Sequence, residues 1–199
     1  MDGATHCEPL GERRSGALTP DCDASCDATT IRAMPDVTTY SRYLKEPTVP
    51  AAIRELEEAL KLVPKLLTIS DADAAAPLAP GKWSRKQVLG HLLDSAVNNH
   101  QRFIRAQIPA HLAGGTLRLD SYAQDEWVEK QRYAQRPWQE LVDLWRGLNH
   151  HILPVMQGAS AASLETPCVI GTHPPMRLGL IVVDYVGHVK HHLAQILPS

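Results

Sequence analysis

Between Val49 and Ile69 the apolar residues Ile53, Leu56, Leu60, Val63, Leu66 and Leu67 recur three and four apart, a period that predicts an amphipathic helix. The stretch Asp71–Pro80, with repeated Asp, Ala and Pro, breaks that period and is expected to be a loop. Ser84 followed by Gln87 has the spacing of a capping box: the serine hydroxyl can accept from the Gln87 N–H while the glutamine side chain reaches back. A second long helix should start there, with Val88, Leu89, Leu92, Val97, Phe103 and Ile104 facing inward until Pro109. Residues 110–135 carry Gly114-Gly115 and the aromatic residues Tyr122, Trp127 and Tyr133, with helical spacing only from Gln124 to Arg132, so a long connection holding one short helix is expected. Pro137 suits a first helical turn. Leu141, Leu144, Trp145, Leu148, Ile152 and Val155 give the stripe of a third helix up to Gly158, its last turn bent or frayed by Pro154. Thr166–Pro175 reads as a loop or at most a small hairpin, and Leu178–Leu197 as the last helix. The fold class expected is all-α: an antiparallel four-helix bundle with a short extra helix between helices two and three.

Residues 1–33 lack any such pattern. They are rich in Gly, Ser, Thr, Asp and Pro and would bury too little surface to offset their ordering entropy. The expected organisation is a disordered or loosely ordered extension over residues 1–45 and a bundle domain over 46–199; Met34 offers an alternative start of translation. The formal net charge of -2 provides no broad basic field for phosphates or anionic lipid, so neither nucleic acid nor a membrane surface is an expected partner. The apolar run Leu178–Val183 is far below the roughly 20 residues that cross a bilayer. No basic segment followed by an apolar one opens the chain, which makes the cytoplasm the expected location. Cys7, Cys22 and Cys26 lie in the polar N-terminal stretch and Cys168 far from them, a distribution that suits reduced thiols rather than a disulfide framework. Cys22 and Cys26 lack a second ligand pair nearby, and Cys168 is expected to be a small buried hydrophobe.

The chemistry is concentrated in histidines. His188 and His192 are four apart on an expected helix, which puts both imidazoles on one face with Cβ atoms about 5 to 6 Å apart. Alone, such a pair serves equally well to offset the negative end of a helix. His91 shifts the balance, because Val88, Leu89, Leu92 and Leu93 surround it with apolar side chains while Asp94, Ser95, Asn98 and Arg102 continue a polar stripe along its helix. That stripe suits a cavity. Three histidine ligands would hold a divalent metal and leave a coordination position for water or substrate, the arrangement of a catalytic site. His191 points about 100° away from its neighbours in sequence, and His100 lies about half a turn off the face of His91. His150 and His151 fit the helix-end reading, while His6, His111 and His173 lie in expected loops.

The segments Trp83-Ser84, Gly90-His91-Leu92-Leu93-Asp94-Ser95, Asn98-Asn99-His100-Gln101-Arg102-Phe103 and Asp184-Tyr185-Val186-Gly187-His188-Val189-Lys190-His191-His192-Leu193-Ala194-Gln195-Ile196 resemble the DinB/YfiT-like superfamily in order and separation, across roughly Val49 to Leu197. The resemblance implies a four-helix bundle with one divalent metal ion, zinc or nickel, on His91, His188 and His192, and frequent homodimers. It also implies either S-transfer with a low-molecular-weight thiol or metal-dependent hydrolysis. The N-terminal extension departs from the family pattern. The expected activity is that of a metal-dependent enzyme in which the ion lowers the pKa of a bound thiol or water. S-transfer to a small-molecule substrate stands first, with hydrolysis and a non-catalytic metal-binding or stress-response protein as alternatives. Asp94 is a candidate to orient an imidazole or act as a base, and Arg102 a candidate to hold an anionic substrate group.

Overall fold

In the computed structural model, which describes residues 38–197, Thr48 accepts a hydrogen bond from Ala51 N–H and opens α1 (Val49–Leu60), with Pro50 in its first turn. Pro64 has no N–H and crowds the carbonyl one turn earlier, so the helix stops and resumes as the short α2 (Val63–Leu66). The single helix expected over this region is therefore two. The expected loop at Asp71–Pro80 is also partly helical. Ser70 caps α3 (Asp71–Ala75) by accepting from Asp73 N–H at 3.1 Å, and Asp71 and Asp73 sit where the helix dipole favours negative charge. The Asp71 carboxylate ties three elements together: it accepts from the buried Lys86 ammonium at 2.8 Å and from Trp138 N–H at 2.8 Å.

The capping box forms as expected. Ser84 Oγ accepts from Gln87 N–H at 3.3 Å and Gln87 Oε1 accepts from Ser84 N–H at 3.0 Å, starting α4 (Arg85–Arg105). The connection that follows contains β1 (Leu117–Leu119) and α5 (Gln124–Lys130), the one short helix expected there. After it come α6 (Trp138–Gln157), with Pro154 inside its last turns, and the short α7 (Ala161–Leu164). β2 (Pro167–Ile170) and β3 (Met176–Arg177) make the small antiparallel hairpin allowed for Thr166–Pro175, and α8 (Leu178–Ile196) closes the chain. The sequence pattern did not point to β1, which pairs in parallel with β2 through Leu117 and Cys168 and makes a three-stranded sheet in the order β1-β2-β3.

In the bundle, α4 packs against both α6 and α8, and α1 against both α8 and α6. Trp145, Tyr185, Phe103, Leu56, Leu89 and Leu92 fill the space between them. Tyr185 brings its hydroxyl into this core by donating to Asn149 Oδ1 at 2.6 Å, which links α8 to α6. Cys168 is buried, as expected of a small hydrophobe. Among the described residues no helix is long and apolar enough to cross a membrane.

Of the expected extension, residues 1–37, including His6, Cys7, Cys22 and Cys26, lie outside the described residues. Residues 38–45 pack on α8. A 3-10 turn at Ser41–Tyr43 lies against that helix, Leu44 enters the core, and Glu55 both accepts from Lys45 N–H at 2.8 Å and pairs with Lys190. The Tyr40 carbonyl rests on the bare Cα of Gly187, where an added Cβ would lie 2.1 Å from its oxygen.

Candidate metal centre

The contact between α4 and α8 brings His91 to His188 and His192. His91 is 2% exposed and His188 8%, while His192 is half-buried. Their ligand atoms all lie within 4.8 Å of one another, and ring centroids are 4.9 Å apart for His91 and His188, 5.0 Å for His91 and His192, and 4.5 Å for His188 and His192. His91 Nε2 is 3.0 Å from His188 Nε2. Nitrogens bound to one tetrahedral zinc at about 2.0–2.1 Å are themselves about 3.3 Å apart, so this pair already has close to ligand spacing.

The neighbours of the rings decide where protons sit. Gln195 Oε1, which can only accept, lies 2.9 Å from His192 Nδ1; the ring proton is therefore on Nδ1 and Nε2 is bare. The Gln195 amide group in turn donates to His191 Nε2 at 3.2 Å. Ser95 Oγ, 3.2 Å from His188 Nδ1, is placed to accept that proton and leave Nε2 bare as well. His91 Nε2 lies 3.0 Å from this bare His188 Nε2 and can donate its ring proton to it, a proton whose place a cation held by both rings would take. Three neutral imidazoles form a donor set suited to zinc, nickel, copper or iron rather than to magnesium or calcium. His91 Nδ1 is buried and has no hydrogen-bond partner among the described residues. The site is lined by aromatic rings, with ring centroids 5.3 Å apart for Trp83 and His91 and 4.8 Å apart, in a T-shaped arrangement, for Tyr40 and His188.

Burial and the neighbouring imidazoles hold these groups in the neutral state. Desolvation, with a smaller contribution from His192, lowers the pKa of His91 to about 4, and desolvation with the other histidines lowers that of His188 to about 2. His192 is shifted down mainly by burial. In the unfolded chain these groups take up protons near pH 6.5, whereas the fold excludes them, so the unfolded state binds more protons as pH falls below 6.5. Metal-free protein should therefore be fully stabilised above pH 6.5 and lose stability between pH 6.5 and 4, by up to about 1.4 kcal/mol per pH unit for each of His91 and His188. Denaturation midpoints of chelator-treated protein across that range check this; a midpoint independent of pH would contradict it.

The two other candidate residues are placed differently. Asp94 is 1% exposed, and its Oδ1 accepts from Tyr133 Oη–H at 2.7 Å and from Gln131 at 3.4 Å, so its hydrogen bonds run to the α5 side of the bundle and not to an imidazole. Desolvation raises its pKa against the opposing effect of Tyr133 and Gln131, and Oδ2 has no partner among the described residues. Arg102 lines a cavity of about 460 Å³ that reaches His188 and also includes Tyr40, Ser95, Asn99, Tyr122 and Asp184. Among the described residues the carboxylate facing this cavity is Asp184, four residues before His188 and hence on the same side of α8. Its pKa is raised by burial, although the Thr38 hydroxyl and the Tyr40 N–H donate to it. Ser95 and Gln195 show a similar spacing signal, four and three residues after a candidate ligand. Nothing in the local pattern points to Tyr40. Of the remaining histidines, His173 lines the cavity, and His100 pairs across α4 and α6 with His151 at 5.0 Å between rings.

Comparison with known proteins identifies the family and the fold. A family profile described as the DinB superfamily matches residues 52–196. A protein of Geobacillus thermodenitrificans described as a putative metal-dependent hydrolase is 27% identical over 148 residues, covering 74% of this chain and 79% of that relative. A counterpart of the same description from Geobacillus kaustophilus is 26% identical over 147 residues, covering 73% and 79%. Among solved structures, YfiT from Bacillus subtilis, described as a probable metal-dependent hydrolase with an unusual four-helix bundle topology, superposes with a TM-score of 0.64 at 21% identity, covering 74% of this chain and 83% of that one.

Proposed function

The chain belongs to the DinB superfamily, and on that premise we propose that it is a metal-dependent hydrolase whose zinc or nickel ion is held by His91, His188 and His192. The observation that carries this reading is the convergence of three neutral imidazoles from two helices, one of which, His188, lines a cavity large enough for a small organic substrate. A divalent ion bound there supplies Lewis acidity, lowering the pKa of a coordinated water or thiol and polarising a carbonyl.

The chain's own groups prepare the site. Gln195 and Ser95 hold protons on Nδ1 of His192 and His188 and keep both rings oriented. Tyr40 and Trp83 exclude water from two sides of the imidazoles, which strengthens every electrostatic contact within. Asp184, with its raised pKa and its place in the cavity wall, is the carboxylate positioned to exchange a proton with a reacting group; Asp94, bound by Tyr133 and Gln131, holds α4 against the connection to α6.

A second reading is S-transfer with a low-molecular-weight thiol, and the cavity volume favours it as much as it favours hydrolysis. Cys168, the one cysteine among the described residues, does not supply that thiol, because it is buried with its pKa pushed up to about 11 and stays protonated; a cosubstrate is the source in this reading. Metal-loaded protein should hydrolyse members of a panel of activated esters and amides, with His188→Ala slowing turnover by at least about 100-fold. Turnover only when a thiol and an electrophile are supplied together would establish transfer instead. A metal-loaded chain inert towards both panels would leave a metal-binding protein.

A further inference from the structure

We propose that the cavity takes a substrate carrying a single carboxylate, gripped by Arg102 while the reacting group reaches His188. The proposal rests on reading this cavity as the substrate site, and it holds for either reaction considered above.

Arg102 is the one lysine or arginine among the described residues lining the cavity. It is half-buried, and among the described residues its guanidinium makes one hydrogen bond, from Nη1 to Asn99 Oδ1 at 3.2 Å, and no ion pair. A guanidinium has five N–H donors in a planar fork that matches a carboxylate, so most of its donors remain to be used. Burial lowers its pKa, as expected of a cation removed from water without a full counter-charge. Asp184 acts on it across the cavity, but the Asp184 carboxylate is already engaged by the Thr38 hydroxyl and the Tyr40 N–H.

The fork is also held in place. Asn99 Nδ2 donates to the Ser95 carbonyl at 2.9 Å and to Ser95 Oγ at 3.3 Å, which turns Oδ1 towards Arg102. Ser95 Oγ is the partner of His188 Nδ1. A continuous chain of hydrogen bonds along one face of α4 therefore joins the cationic anchor to the imidazole cluster. Arg102 and Ser95 are two helical turns apart, roughly 10 Å along the axis, and long side chains on a helix lean back towards its N-terminus. One small molecule can span the two ends.

The remaining walls define the rest of the ligand. Ile170, Met176 and Ile181 offer an apolar face for its body. Tyr122, with its pKa raised to about 12 chiefly by burial, keeps its phenolic proton at neutral pH and can donate to the same carboxylate. One cation facing one carboxylate also discriminates by charge. A monoanion gains the Arg102 contact, whereas a dianion such as a phosphate monoester meets Asp184 as well.

The test is calorimetric titration of the zinc-loaded full chain with 4-phenylbutyrate and with its neutral amide, for wild type and Arg102→Met, repeated without zinc. The acid should bind at least about tenfold more tightly than the amide to wild type, and about equally in Arg102→Met, with zinc content and melting temperature of the variant unchanged. The preference should persist in the zinc-free chain, which separates this proposal from the fate of the metal reading. No measurable binding of the acid, equal binding of the two ligands by wild type, a preference that survives in Arg102→Met, or one that vanishes when zinc is removed would each overturn it.

Discussion

Gly90→Ala should lower the melting temperature by about 10 °C, whereas the same substitution at Gly147 should raise it by about 3 °C. Both glycines lie inside long helices, where alanine is favoured by about 1 kcal/mol. What differs is the space around them. A Cβ on Gly147 meets nothing within 4 Å, so only the gain in helix propensity remains. A Cβ on Gly90 would lie 2.1, 2.2 and 2.7 Å from three atoms of the Tyr133 ring. That ring cannot retreat without pulling its hydroxyl off Asp94, a buried carboxylate that would then lose its 2.7 Å partner. Overpacking costs about 1–3 kcal/mol and an abandoned buried acceptor about 1–3 kcal/mol more. Set against the helix gain, the net loss is about 3 kcal/mol, and each kcal/mol moves the melting temperature of a domain this size by about 2–4 °C. Thermal melts followed by circular dichroism check both signs; a Gly90→Ala melt matching wild type would contradict the packing described.

Gly187→Ala should act on the site more than on the fold. The added Cβ would fall 2.1 Å from the Tyr40 carbonyl oxygen and 2.6 Å from its carbon, and backbone cannot swing aside as the end of a flexible side chain can. Residues 38–44 must lift from α8, taking Leu44 out of the core and Tyr40 off the His188 ring. Exposing Leu44 costs about 1.5–3 kcal/mol, and the helix gain of about 1 kcal/mol offsets part of it. The global loss is then modest, but an imidazole now 8% exposed becomes open to water and to competing chelators. Release of zinc to a colorimetric chelator should quicken by about tenfold, and proteolysis should appear within residues 38–44. Release and cleavage patterns identical to wild type would show that this segment does not cover the site.

The sequence revealed the three histidines for a physical reason. The four-residue spacing of His188 and His192 forces a shared face, and His91, set among leucines, needed a partner to be buried. The Ser84 capping box and the four apolar stripes were readable because each is a local pattern within a few turns. The features that escaped are those whose cause lies far along the chain. β1 is three residues long and depends on pairing with Cys168 and its neighbours some 50 residues later, which leaves no period to detect. The turn of α3 was hidden by its Asp and Ala content, although Ser70 followed by Asp73 is itself a cap signal and Asp71 gains its place from Lys86 and Trp138. Asp94 shares a helix with His91, and that proximity suggested an imidazole partner; Tyr133, 39 residues away in sequence, bonds its carboxylate instead. Tyr40 covers His188 only because Gly187 lets the backbone approach, a complementarity that neither residue signals alone.

The most direct test of the metal assignment is the metal content of untagged protein, measured by elemental mass spectrometry for wild type and His188→Ala after reconstitution near neutral pH. About one equivalent of zinc or nickel in wild type and none in the variant is the result expected from imidazoles converging within 4.8 Å. No metal in wild type, or the same metal in both proteins, would show that His91, His188 and His192 do not form the site.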